Sequence, residues 1–459
     1  MNQSLNTYLY LLFHLFMAFV IHNFSSVVFL LMPLYLLLGT IWVIRNKDQN
    51  FEVLSLLIYT IGFEMIFRMK SDGAFFDIGK YAVIYFSILG FGFKKISLKA
   101  WPYFLILILF VPGIYLTVNT FFFQIDVRKK ILFNLLGPFS LVAASLYCYG
   151  KFITLEDLIK RLKILTGPLL TILFLVILYT PSDFKQLIQY NTSSNFAASG
   201  GFGPNQISTI LGLGCFVYYV AFLTEVKDKI LKYVFLGIFA IFLYRGLLTF
   251  SRGGMITFFV MFTFFNFKVF KILNNKARTN YLLVLFGLIV TLTIVWIYAS
   301  VSTNGMIVNR YSNKDAAGRL KESSMSGRED IMSNDFDLFI ENPVFGVGPG
   351  IGGMIRGEGS VTMGAQAHSE PTRLLSEHGV FGLFILLFLI FVPIIKYYRD
   401  RNFYHIFFFS FLIFWGLTIN HAATRIVASS VVYALALLNI YLPTNTNSES
   451  IEQNPVHRE

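Results

Sequence analysis

The stretch "AHSEPTRLLSEHGVFGLFILLFLIFVPII", residues 367–395, sets His368, Glu370, Arg373, Glu377 and His378 directly against an unbroken apolar run. A polar segment that passes without a linker into such a run marks the boundary of a membrane span. Apolar runs of the roughly 17 to 25 residues needed to cross a bilayer recur along the whole chain, about 14 of them. Their centres fall near residues 13, 35, 59, 86, 110, 140, 172, 215, 238, 262, 291, 388, 412 and 435. The 459 residues are 56% hydrophobic and 14% charged, with a mean hydropathy of +0.65, outside the range of soluble domains. Membrane barrels read instead as short alternating segments. The expected fold is all-α, a polytopic membrane protein with about 12–14 transmembrane helices and one large outer loop.

The formal charge of +12 does not point to nucleic acid, because the basic residues are scattered through short loops without a basic block. Their distribution reports orientation. With the first residues inside, the inner loops collect most of them, including Arg45, Lys94, Arg161, Lys229, Lys232, Lys276 and Arg399. Both termini are therefore expected in the cytoplasm, and the segments near 181–205 and 302–378 outside. The first run has no basic residue before it and no cleavage pattern after it, so it reads as a span rather than a removable signal. Cys148 and Cys215 lie inside apolar runs and read as packing residues. "KFITLEDLIKRLK" has the spacing of an interfacial helix. The tail 443–459 is polar and reads as disordered.

Chemistry is sought in the polar islands. "LYRGLLTFSRGGM" sets Arg245 and Arg252 two turns apart, on one face if the helix is continuous. Snorkelling is the plain explanation for either; a diphosphate clamp at the following helix N-terminus, with Ser251 as cap, is the functional one. The long loop offers Arg328, then an amphipathic helix "REDIMSNDFDLFI", then Gly346, Gly348 and Gly350 at alternate positions. Pro349 supplies no N–H and no strand precedes, so these glycines read as a tight loop against the membrane rather than a nucleotide loop. Asp335 and Asp337 read as a solvated helix face, and no cluster has metal-ligand spacing, so no catalytic metal or cofactor is expected. Pro371 starts a helix capped by Ser369 or Glu370, with His368 just ahead of it. The helix N-terminus favours a neutral, basic imidazole there, whereas Glu370 acts oppositely. Such a histidine serves either as a proton acceptor or as a packing residue at the start of the helix. Gly379 and Gly382 let that helix pack closely on its neighbours.

In order along the chain, "GPNQ" (203–206), "SRGG" (251–254), "SGR" (326–328), "NPVFGVGPG" (342–350), and "HS" (368–369) followed by "GVFG" (379–382) resemble the O-antigen ligase and polymerase superfamily of bacterial membrane glycosyltransferases. The resemblance covers roughly residues 200–395. It implies an N-terminal transmembrane region over 1–200, a ligase/polymerase-like domain over 201–442 and a cytoplasmic tail. It implies, too, a multi-pass protein of the bacterial inner membrane that transfers a glycan from undecaprenyl diphosphate to an acceptor hydroxyl on the periplasmic side. Arg252 and Arg328 would then bind the diphosphate and His368 would be the base; local geometry adds Arg245 and Arg373. The acceptor is either the next lipid-linked repeat, for a polymerase, or lipid A core, for a ligase. "HSEPTRLLSEHG" is more similar to exopolysaccharide polymerases. Polysaccharide assembly proteins and membrane lipids are the other partners implied, and nucleic acid is not. A lipid-linked oligosaccharide flippase is the reading from another class, though the chain lacks the internal repeats of transporters.

Overall fold

In a computed structural model of the chain, residues 2–70, 76–120, 125–181, 192–321, 328–355, 367–401 and 403–442 are described. Every one of the apolar runs is helical. The first part comprises α1 (Asn2–Asn23), α2 (Val27–Asn46), α3 (Glu52–Lys70), α4 (Ile78–Phe91), α5 (Trp101–Leu109), α6 (Val111–Thr120), α7 (Ile125–Cys148), α8 (Leu155–Ile164) and α9 (Thr166–Leu178). Then follow α10 (Pro204–Thr224), α11 (Lys229–Leu248), α12 (Arg252–Ile272) and α13 (Asn275–Ser302). The long polar segment after α13 contributes α14 (Met306–Tyr311), α15 (Arg328–Glu341) and α16 (Gly352–Ile355), followed by α17 (Glu370–Arg399), α18 (Phe408–His421) and α19 (Val427–Leu435).

Helices dominate because lipid offers the backbone no hydrogen-bond partner, and a helix satisfies its own N–H and C=O groups. Among the described residues, 10 helical segments are long and apolar enough to cross a membrane. The expected spans outside these ten are helical as well, and each misses that length or composition for a physical reason. α3 carries Glu64 and Arg68, α4 and α18 are short, and α18 and α19 are two halves around a break. α5 and α6 form one span interrupted at Phe110.

Among the ten, α10 is the most enclosed, packed against α11 and α12, while α19 packs on α7 and α18 on α12. Small residues set the closest approach. A Cβ on Gly254 of α12 would stand 2.2 Å from the Ser208 carbonyl of α10, so only glycine fits there. Far from that core, α13 exposes Leu283, Phe286, Ile294 and Val301 to the bilayer.

Helices from before and after position 200 are in contact. A parallel pair of short strands, Phe152–Thr154 and Asn439–Tyr441, joins the segment before α8 to the residues that follow α19, and α3 packs on α19. The two regions are interleaved because the α18–α19 break is held by side chains of α3. As expected, α8 is amphipathic; it is capped by Thr154, whose hydroxyl accepts from the Asp157 N–H at 3.0 Å, and it buries Leu158 and Leu162. The tail 443–459 lies outside the described residues, as does much of 181–205.

Candidate active site

α17 is broken at Gly379, whose φ of 57° and ψ of −135° are not helical. A break leaves carbonyls without intrahelical partners. The glycine loop supplies the missing donors: Val347 N–H donates to the Ser376 carbonyl at 2.9 Å and Gly348 N–H to that of Glu377 at 3.0 Å. Gly350 N–H donates to Glu377 Oε1 at 2.9 Å, and in return Val380 N–H donates to the Pro343 carbonyl at 2.8 Å. Gly346, Gly348 and Gly350 all have positive φ. Gly382 meets the Leu374 carbonyl, where a Cβ would stand 1.9 Å away.

The helical turn before the break carries a buried ionic triad. Arg373 donates through Nε to Glu370 Oε2 at 3.2 Å, through Nη1 to Glu377 Oε2 at 2.7 Å and through Nη2 to the Asn134 carbonyl at 3.1 Å. The expected role of Arg373 as a diphosphate ligand meets a physical obstacle, because its donors are already given to the chain's own carboxylates and a carbonyl. The Asp pair separates likewise. Asp335 is buried and accepts from the Thr372 hydroxyl at 3.0 Å, fixing α15 to α17, whereas Asp337 is exposed on the opposite side. The solvated-face reading therefore holds for Asp337 alone. Among the described residues, no three His, Cys, Asp or Glu side chains gather as metal ligands.

Ser369 is the N-cap of α17, with Pro371 in the first turn; the buried Ser369 hydroxyl has no partner among the described residues. His368, half-buried, precedes it. Ala367, next to His368, accepts from Arg425 Nη2 at 2.6 Å. Arg425 belongs to the break between α18 and α19, where Ala423 takes a left-handed φ of 51°. Two contacts from α3 hold that break. Arg68 donates through Nη2 to the Arg425 carbonyl, and Glu64 Oε2 accepts from Val427 N–H, the first of α19, at 2.8 Å. Arg68 and Glu64 pair at 3.1 Å, both buried. Sequence reading missed this pair, although a glutamate and an arginine one turn apart inside an apolar run were signal enough.

The arginines of α11 and α12 do not share a face. The chain turns at residues 249–251, with Phe250 at φ 55°, so Arg245 ends one helix and Arg252 begins the next. Arg245 donates to the Val176 carbonyl at 3.1 Å and to the Thr180 hydroxyl beyond α9. Arg252 lies beside α14 instead, its Nη1 donating to the Arg310 carbonyl at 3.5 Å, while Arg310 Nε donates to the Phe250 carbonyl at 2.8 Å. Lys321 is near enough to both that partial burial first, then Arg310 and Arg252, pull its pKa down. Arg252, Arg310 and Lys321 thus form a cationic group at this end of α12. Arg328 begins α15, but its side chain and the preceding Ser326 and Gly327 lie outside the described residues.

"GPNQ" links these parts. Pro204 starts α10, Asn205 Oδ1 accepts from the Ser251 hydroxyl at 2.8 Å, and Gln206 Oε1 accepts from Arg68 Nη1 at 3.1 Å. Ser251 is the N-cap of α12 by position but gives its hydroxyl to Asn205 rather than to its own helix. One turn of α10 therefore joins the Arg252 group to the Arg68–Arg425–Ala367 chain that ends at His368. His421 lies between α10 and α12, with Nε2 2.9 Å from the Thr209 hydroxyl.

The helices define a class, an all-α polytopic membrane protein. Residues 235–387 match the family model described as O-antigen ligase, so the resemblance to the O-antigen ligase and polymerase superfamily is supported over that domain. The matched stretch includes Arg252, the loop glycines and His368, whereas "GPNQ", Arg68 and Arg425 lie beyond it. No curated protein matches the chain.

Proposed function

We propose that the protein is a glycosyltransferase of the O-antigen ligase and polymerase type, and that it moves a glycan from undecaprenyl diphosphate to an acceptor hydroxyl at the periplasmic face of the inner membrane. The observation that carries this reading is the "GPNQ" turn, which ties the cationic end of α12 to the backbone that presents His368. The acceptor oxygen attacks the anomeric carbon as its proton passes to a ring nitrogen of His368. The bond from that carbon to the diphosphate oxygen breaks, and the diphosphate leaves with the electron pair. Arg252, Arg310 and Lys321 oppose its growing charge, with Arg328 as a further ligand of the same anion. Preorganised cations of this kind act on the transition state because they need no rearrangement as charge develops. Arg373 and Arg245 serve the frame, the first by fixing the helix ahead of the break and the second by joining α11 to α9.

Between the acceptors, the "HSEPTRLLSEHG" stretch favours a growing chain, hence polymerase. The decisive experiment uses purified protein with a synthetic undecaprenyl-diphosphate-linked repeat. Polymer from this donor alone supports polymerase, and transfer only when lipid A core is added supports ligase. General-base catalysis is worth about 10²- to 10⁴-fold, so His368→Ala should slow transfer by that factor without loss of donor binding. Wild-type turnover by the variant would remove His368 from the chemistry.

A further inference from the structure

A second site lies at the other side of the molecule, between its first two helices. α1 and α2 are joined by a tight turn in which Val27 N–H donates to the Phe24 carbonyl at 3.0 Å. They then part, α1 running along α9 and α2 along α3 and α4. The wedge between them is a cavity of about 320 Å³, walled by Phe13, Met17, Leu34, Leu38, Trp42 and Phe63. Sites that hold small ligands occupy about 300–1,000 Å³. Phe13 and Leu38 line it and are each 54% exposed, so it opens sideways to the bilayer.

The chemistry of the wall identifies the occupant. The Tyr35 hydroxyl donates to the Leu56 carbonyl at 2.8 Å, Ser55 Oγ to that of Phe51 at 3.0 Å, and His14 Nδ1 pairs with the Thr171 hydroxyl at 2.9 Å. His14 Nε2 is turned toward Gly167 of α9. The Tyr35 and Ser55 hydroxyls and His14 Nδ1 are closed upon the protein, His14 Nε2 is buried without a hydrogen-bond partner among the described residues, and a lining otherwise mostly apolar suits hydrocarbon rather than sugar. From Ser55 to Ile66 the lining of α3 rises about 16 Å, close to half the ~30 Å hydrocarbon core, the depth of one leaflet.

Charge fixes the direction of the chain. The α1–α2 turn closes one end of the wedge. At the other, Ile164 of α8 lines the cavity, Arg45 is exposed in the last turn of α2, and Arg161 Nη2 donates to the Asn50 carbonyl at 2.6 Å. Their basic neighbours on α8 face carboxylates instead, Lys160 those of Glu156 and Asp157, Lys163 that of Glu225. We propose that the wedge binds an acyl chain of an anionic glycerophospholipid, with the phosphate against Arg45 and Arg161. This site does not depend on the transfer reaction, because α8 lies at the end of the bundle opposite His368.

The test incubates purified full-length protein in detergent with phosphatidylglycerol, phosphatidylcholine or undecaprenyl phosphate and counts retained lipid by native mass spectrometry. Wild type should retain phosphatidylglycerol preferentially, and Met17→Trp or Leu38→Trp, which fill the wedge, should lose it. The double variant Arg45→Gln with Arg161→Gln should cut phosphatidylglycerol retention by about tenfold or more, since a basic residue near a charged membrane surface is worth roughly fivefold, and should leave phosphatidylcholine unchanged. Thermal unfolding identifies the variants that fold, and the surface pair decides the matter if the filled ones do not. Unchanged retention in the folded variants, preference for undecaprenyl phosphate, or a dimer sealed across the wedge would overturn the proposal.

Discussion

His368 and His378 differ in surroundings more than in sequence. His378 is fully buried, its ring edge-on to Phe110 and against Gly113, and among the described residues neither ring nitrogen has a hydrogen-bond partner. His378→Ala removes packing rather than a reactive group, so it should lower the amount of folded protein, by quantitative immunoblot, more than turnover per molecule. The reverse pattern would move the catalytic role to His378. For Arg252, charge and geometry are separable. Arg252→Lys keeps the cation but loses the planar fork, and a charge-assisted hydrogen bond of about 1.5–3 kcal/mol predicts a drop in transfer of tenfold or more. Normal transfer would reduce Arg252 to a snorkelling residue. Arg68→Gln leaves Glu64 buried without its cation, which costs about 3–5 kcal/mol. It should therefore lower the thermal unfolding temperature strongly, and Glu64→Gln in the same chain should restore part of the loss, because the uncompensated charge is then gone. No recovery in the double variant would deny the coupling.

The elements that build the site are interrupted helices, and each interruption has a local cause. α17 breaks at Gly379, where a Cβ would stand 2.5 Å from the Val344 carbonyl oxygen and 2.6 Å from that of Pro343. Gly379→Ala is thus opposed both by its positive φ and by backbone, and it should destabilise by more than about 1 kcal/mol and release the glycine loop. Gly237→Ala, within α11 with nothing inside 4 Å of the new Cβ, is the matched control and should leave stability unchanged or slightly raised. Proteolysis of the outer segment in the two variants measures the difference; equal resistance would show that the loop does not need the break. The α18–α19 break has no glycine at its turn. Ala423 is held left-handed by neighbours, since Thr424 N–H donates to Glu370 and Val427 N–H to Glu64. That is why the pattern of residues did not disclose it.

At the scale of the whole molecule, α11 separates the two ends. Its 20 residues rise about 30 Å, the depth of a hydrocarbon core, from Lys229 to the turn that carries Arg252. Reporter fusions should therefore find Lys229 in the cytoplasm and Gly348 outside, and phosphatase activity at 229 with none at 348 would invert the arrangement and end the proposed reaction. The helical class, the position of nearly every apolar helix and the long polar segment after α13 were legible in the chain, because lipid enforces long apolar runs and confines polar residues to the boundaries. Local rules also sufficed for Pro371 at the start of α17 and for the helical state of α15, but not for its faces, since it buries Asp335 and exposes Phe336 and Ile340. Contact was another matter. That Arg373 faces Glu370 and Glu377, that Arg245 turns away from Arg252, and that Arg68 reaches both Gln206 and Arg425 across the sequence follow from packing alone. Hydropathy registers how deep a residue lies but not which neighbour it meets. In a low-dielectric interior that neighbour determines which part of the frame a guanidinium holds.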